Sequence, residues 1–185
     1  MQQLKTLRHQ LLIAMPGLHQ DWFAGSVVYL CEHGDDGAMG LVLNRVMPVT
    51  FHDICEQLEI ERQPGVQPAV LCGGPVSPET GFILHREPGN WTSTLSIGQH
   101  CHLTSSKDIL RAIAAGTGPE SFHLALGYAG WDGEQLEREL RDNAWLTVEA
   151  DDELLFRTPT QVLYDRALQR LGISAEFLSQ EAGHA

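Results

Sequence analysis

Apolar and polar positions alternate along this chain in short blocks, and the blocks predict more strands than helices. Val27 to Cys31 and Met39 to Leu43 are apolar runs separated by His33-Gly34-Asp35-Asp36-Gly37. That pattern predicts a β-hairpin, since glycine supplies the left-handed backbone of a tight turn. Phe51, Ile54, Cys55 and Leu58 recur at helical spacing behind Thr50, with Asp53 placed to complete a cap, so residues 51–60 read as a helix. Ala69 to Cys72, Gly81 to His85, Thr92 to Ile97, His100 to Leu103 and Ser121 to Leu126 read as strands. Ser105 reads as the cap of a helix carrying Ile109, Ala112 and Ile113 inward and stopping at Gly116. Gly133 to Arg141 reads as another helix, Trp145 to Val148 and Leu154 to Phe156 as strands, and Thr160 as the cap of a last helix closed by Gly172. The tail after Leu178 reads as loose. Strands in hairpin runs with interspersed helices make the class mixed α+β.

Composition narrows this picture without changing it. The 185 residues carry 43% hydrophobic and 19% charged side chains, as a globular chain does. A chain of this size buries roughly 70% of its extended surface and needs no disulfide or metal staple. No repeat or linker-like stretch divides it, so residues 1–185 read as one domain, ordered from about residue 11 to residue 178. The apolar run Leu11 to Met15 is too short to span a bilayer or form the core of a signal peptide, which makes the cytoplasm the expected location and a membrane no expected partner. Cys31, Cys55, Cys72 and Cys101 show no paired spacing and read as free, buried thiols.

The net charge is −12, and more than half of it falls between Asp132 and Glu153, where nine acids face two arginines. Only Lys5 and Lys107 are lysines, and the arginines are spread singly. Phosphate neutralisation needs clustered cations, so direct nucleic-acid binding is disfavoured.

No nucleophile elbow, phosphate loop or zinc-protease motif is present. His100 and His102 flank Cys101 on one strand face, but nothing completes a metal set, and no metal or cofactor is expected. Cys31 and His33 would share a strand face, yet a core cysteine is the plainer reading. Asn44-Arg45 ends the second hairpin strand, where an amide and a guanidinium either grip an anion or serve the fold. Two glycine turns stand out: Cys72-Gly73-Gly74-Pro75-Val76 and Gly127-Tyr128-Ala129-Gly130-Trp131-Asp132-Gly133. The second reads as a strand-to-helix corner, with Asp132 and Gln135 as a capping box and Tyr128 and Trp131 as flat walls of a pocket. Asp132, Glu134 and Glu137 already satisfy that helix start and repel an anion.

Together these segments resemble the YqgE/AlgH family of bacterial proteins. The resemblance rests on Leu12-Ile13-Ala14-Met15-Pro16, Asp21-Trp22-Phe23, Ser26-Val27-Val28-Tyr29, Glu32-His33 and the run from Gly37 to Arg45. It continues through Gly73-Gly74-Pro75-Val76, Gly81-Phe82-Ile83-Leu84-His85, the run from Leu126 to Trp131 and Asn143-Ala144-Trp145-Leu146. It implies a mostly antiparallel, bifurcated sheet folded into a pseudo-barrel with flanking helices. It supplies no catalytic residues. Some members carry a label of transcriptional regulator, which fits poorly with an acidic chain lacking a helix-turn-helix pattern. The leading expectation is a non-enzymatic regulatory module that binds a protein or small-molecule ligand through Asn44, Arg45, Gly74, Pro75, His85, Gly127, Tyr128 and Trp131. The alternative is a small-molecule enzyme with its site near the Gly74 and Gly127 turns.

Overall fold

The computed structural model describes residues 6–18 and 22–182; Lys5 and Asp21 lie outside the described residues. Nine strands form one sheet: β1 (Gln10–Ala14), β2 (Val27–Gly34), β3 (Gly37–Val42), β4 (Val70–Cys72), β5 (Val76–His85), β6 (Thr94–Gly98), β7 (Cys101–Thr104), β8 (Phe122–Asp132) and β9 (Trp145–Glu149). Their order is β6-β7-β5-β8-β3-β2-β1-β9, all neighbours antiparallel, with β4 added parallel to β8. The helices are α1 (Phe51–Gln57), α2 (Lys107–Ala114), α3 (Gln135–Arg141), α4 (Leu163–Arg170) and α5 (Ala175–Ala182). The expected α+β class, with an antiparallel sheet curled into a half-barrel and helices outside it, is what the chain forms.

The fork in the sheet is at β8. One edge of β8 pairs with β5 from Phe122 to Tyr128, while the other takes β4 at Leu124–Leu126 and then β3 at Ala129–Asp132. The glycine-rich segment is therefore no corner but the second half of an eleven-residue strand. Gly127 has φ +74°, and a Cβ there would lie 2.4 Å from the Gly74 carbonyl oxygen; a Cβ on Gly74 would lie 1.9 Å from the Tyr128 carbonyl carbon. The two glycine segments cross backbone on backbone, an approach that side chains would block. The positive φ also resets the alternation. Ala125 faces the inside of the curl, and beyond Gly127 it is Tyr128 that does so, while Ala129 and Trp131 face out.

Core clusters lie on both faces. Inside the curl, Leu11, Tyr29, Leu41, Leu84, Leu103 and Ala125 pack together, closed at one end by Leu154, Leu155 and Leu163. Outside it, α1 and α2 cover Ile83 and Leu124, α3 covers Leu30 and Ala129, and α4 covers Ile13. The α1 start has the full reciprocal cap, Thr50 N–H donating to Asp53 Oδ2 at 2.8 Å and Asp53 N–H to Thr50 Oγ1 at 3.2 Å.

Three elements depart from their sequence readings. Leu11 to Met15 contributes an interior strand, β1, held between β2 and β9. Leu154 to Phe156 belongs to a wide helical turn, Glu153–Arg157, whose start is fixed by Leu154 N–H donating to Asp151 Oδ1 at 2.9 Å. The tail is helical as far as Ala182.

Candidate functional site

Most of the polar residues that stand out in the sequence are bonded into the fold. Asn44 Nδ2 donates to the Gly25 carbonyl at 2.8 Å, and its Oδ1 accepts from Val27 N–H at 2.9 Å, which ties the approach of β2 to the end of β3. Arg45 donates to the Trp22 carbonyl at 2.7 Å, with its guanidinium 4.0 Å from the centre of the Trp22 ring. His85 is fully buried. Its Nδ1–H donates to the Glu87 carbonyl at 2.8 Å, leaving Nε2 to accept from the Thr104 hydroxyl at 2.8 Å. Burial holds its pKa below 6.5, partly offset by the Glu87 carbonyl.

Trp131 turns away from the curl into an aromatic cluster with Phe23 and Trp145. Both indole N–H groups, Trp131 and Trp145, donate to Glu139 Oε2, at 2.9 and 2.8 Å, and Gln135 Nε2 donates to Oε1 at 2.9 Å. One carboxylate thus clamps β8, β9 and α3. Asp132 N–H does donate to Gln135 Oε1 at 3.0 Å, half of the expected capping box, but the residue preceding the helix is Glu134 with φ +62°.

Thiol chemistry finds no support in the same geometry. A bulge between Leu30 and Glu32 puts Cys31 inside the curl and turns His33 outward, so the two do not share a face. His33 accepts from Leu7 N–H on Nδ1 at 3.0 Å and donates from Nε2 to Glu137 at 2.7 Å. Burial raises the thiol pKa of Cys31 and pushes that of Cys101 up to about 11. All four cysteines are free, three buried and Cys72 half-buried. His100 falls in the β6–β7 turn and His102 on β7. Among the described residues no three His, Cys, Asp or Glu side chains gather as a metal site requires. No helix among them is long and apolar enough to cross a membrane.

What remains open is the mouth of the curl opposite the Leu154–Leu163 plug. A trough of about 770 Å³ lies there, floored by Met39, Val76, Phe82, Leu95, Leu103 and Tyr128 and lipped by Glu32, Asp36 and Asp132. Phe82 and Tyr128 meet edge to face, ring centres 5.9 Å apart. The bulge in β2 and the reset at Gly127 bring Glu32 and Asp132 to this face, Glu32 opposite Met39 in the ladder. Among the described residues the three lip carboxylates make no hydrogen bond or ion pair. Of the eight residues singled out from sequence, Tyr128 and the backbone neighbourhood of Trp131 reach the trough. Asn44, Arg45 and His85 lie elsewhere. Gly74 and Gly127 press on each other beneath its edge, and Pro75 is exposed beside Val76. Sequence reasoning missed Leu95, Leu103 and Phe82 as residues lining the trough, because an apolar residue on a curled strand reads the same whether it is sealed or left at an opening. The acids around Gly37 were the usable signal.

The AlgH-like family model matches residues 11–176. A UPF0301 protein of Saccharophagus degradans is 48% identical over 183 residues, covering 97% of this chain and 89% of the relative, and one from Chromobacterium violaceum is 43% identical over 185 residues, covering 97% and 98%. The solution structure of the AlgH protein from Pseudomonas aeruginosa superposes with a TM-score of 0.81 at 43% identity, covering 100% of this chain and 99% of that one. A crystal structure from Corynebacterium diphtheriae shares the fold at 19% identity, with a TM-score of 0.67 over 92% of this chain and 90% of its own. The chain belongs to the AlgH-like family.

Proposed function

We propose that this protein is a non-enzymatic binding module of regulatory type that acts in the cytoplasm by holding a protein segment or small ligand in the trough. One observation carries the reading: an apolar floor left open at the end of the curl, bordered by three carboxylates without partners among the described residues. Concave apolar surfaces with a few convergent polar groups are where ligands bind. The lining holds no cysteine, serine, histidine or lysine, and the nitrogens of His33 and His85 are engaged by the fold. The acidic lip repels phosphate, which favours a protein partner over DNA as the route to any role in transcription.

A thermal-shift screen of peptides and metabolites on the native protein and on Leu95→Asp tests this. Ligands are expected to raise the melting temperature of the native protein and not that of the variant. Turnover of a model ester or phosphoester, lost in His85→Asn at unchanged melting temperature and with no ligand shifting the native protein, would overturn it.

A further inference from the structure

The trough is bounded on one side by β6, which pairs with β7 alone among the described strands. Its backbone groups can be assigned by alternation. Ser105 N–H donates to the Ser93 carbonyl at 3.1 Å, so residue 93 bonds inward across the pair, as 95 then does, while 94 and 96 direct N–H and C=O to the outside. The Ser96 carbonyl confirms this by accepting from the Arg8 guanidinium, which reaches over from the start of β1. Thr94 and Ser96 are exposed. No hydrogen bond engages their backbone N–H groups among the described residues.

Such an edge is a template for another strand. Its surroundings select the strand's chemistry. Side chains entering the curl from β6 meet Leu95, Leu103, Phe82 and Met39, while the facing lip presents Glu32 and Asp36, with Asp35 beside them in an adjoining hollow of about 340 Å³ that also takes Arg8. Arg8 therefore already places its guanidinium on this edge and lines the same hollow as these acids.

We infer that the trough receives an extended segment of a partner protein, rich in arginine or lysine interspersed with apolar residues, which adds to the free edge of β6 as a tenth strand. The inference rests on the trough being the binding site and names its occupant. Backbone pairing supplies affinity at Thr94 and at the Ser96 N–H, the Ser96 carbonyl being held by Arg8, while the apolar floor takes alternate side chains and Glu32 and Asp36 fix the sign of charge.

The test uses the full chain and a synthetic nonapeptide of alternating arginine and valine. Three companions accompany it: a glutamate–valine peptide, and two arginine–valine peptides N-methylated on one or the other set of alternate residues. An added strand shows only one set of amides to β6. The arginine–valine peptide is expected to bind and to slow hydrogen exchange at the Thr94 and Ser96 amides. Affinity should fall at least tenfold for the glutamate peptide and for one methylated peptide but not the other, and about tenfold for Glu32→Gln with Asp36→Asn. Equal binding by both methylated peptides, or unprotected Thr94 and Ser96 amides in the complex, overturns strand addition. Equal binding of the glutamate peptide overturns the charge assignment. If the arginine peptide fails while another ligand shifts the Tyr128 resonance, strand addition falls and the trough stands as the binding site. If nothing perturbs Tyr128, both fall.

Discussion

The two faces of β8 differ in how their polar groups are used. Outside, Trp131 and Trp145 share Glu139, and the neighbouring Asn44 and Arg45 bind backbone carbonyls and one amide of the segment from Trp22 to Val27. Inside, beyond Gly127, Tyr128 and Asp132 line an opening whose carboxylates have no partner among the described residues. The first region carries much of the family resemblance. The second carries the candidate site. Prominent residues in a sequence of this kind mark where the backbone is hardest to hold, and a ligand meets a less distinctive surface.

The sharpest way to break this contrast is at the glycine crossing. A Cβ on Gly74 would sit 1.9 and 2.0 Å from the Tyr128 carbonyl atoms, where nothing can yield but backbone. Gly74→Ala is expected to cost more than about 4 kcal/mol and leave little folded protein, which circular dichroism and urea unfolding would show. Wild-type stability in this variant would mean that the crossing is looser than described.

Next in size is Glu139→Ala, which strips two indole N–H groups of their acceptor. At about 1–3 kcal/mol for each unsatisfied buried donor, a loss near 3 kcal/mol is expected, and Glu139→Gln, which keeps one acceptor oxygen, should recover about half. Asn44→Ala removes two backbone ties and should cost about 2 kcal/mol by the same measurement. An unchanged urea midpoint in Asn44→Ala, with ligand binding lost, would move that residue from scaffold to site.

Much of the fold was legible because local chemistry decided it. The hairpin around Asp35-Asp36-Gly37, the Thr50–Asp53 cap and the Gly116 stop depend on residues within a few positions of one another. The continuation of β8 through Gly127 was not, since a glycine cluster reads as a turn unless the second segment it must cross, at Gly74, is known. The strand β1 hid for a related reason: five apolar residues gain their meaning from β2 and β9. Leu154 and Leu155 looked like a strand because apolar identity alone does not distinguish a sheet position from a plug. The trough was least legible, for whether Leu95 or Phe82 is covered depends on how far the sheet curls. Of the eight site residues expected, Tyr128 is the one whose side chain faces it.

Acid sharpens the comparison more gently. Burial lowers the pKa of His85 and of His123, the latter hydrogen-bonded through Nε2 to the Leu155 carbonyl of the plug. Both take up a proton less readily in the fold than in the unfolded chain, where histidine titrates near 6.5. Their contribution to stability is therefore full above that pH and is lost as pH drops through 6.5 toward the depressed folded values. Melting temperatures measured between pH 7.5 and 5.5 should decline, and His123→Asn should flatten the decline. The smallest effect on stability belongs to the trough: Tyr128→Ser should lower the unfolding free energy, measured by urea, by about 1 kcal/mol or less while abolishing ligand binding.

The most direct test is an amide chemical-shift map of the native protein titrated with a ligand found in the thermal-shift screen. Shifts should concentrate at Thr94 to Ser96, Met39, Phe82 and Tyr128, leaving Asn44, His85 and Trp145 in place. Shifts centred on Asn44, Arg45 and His85, with Tyr128 and β6 unmoved, would contradict the assignment of scaffold and site.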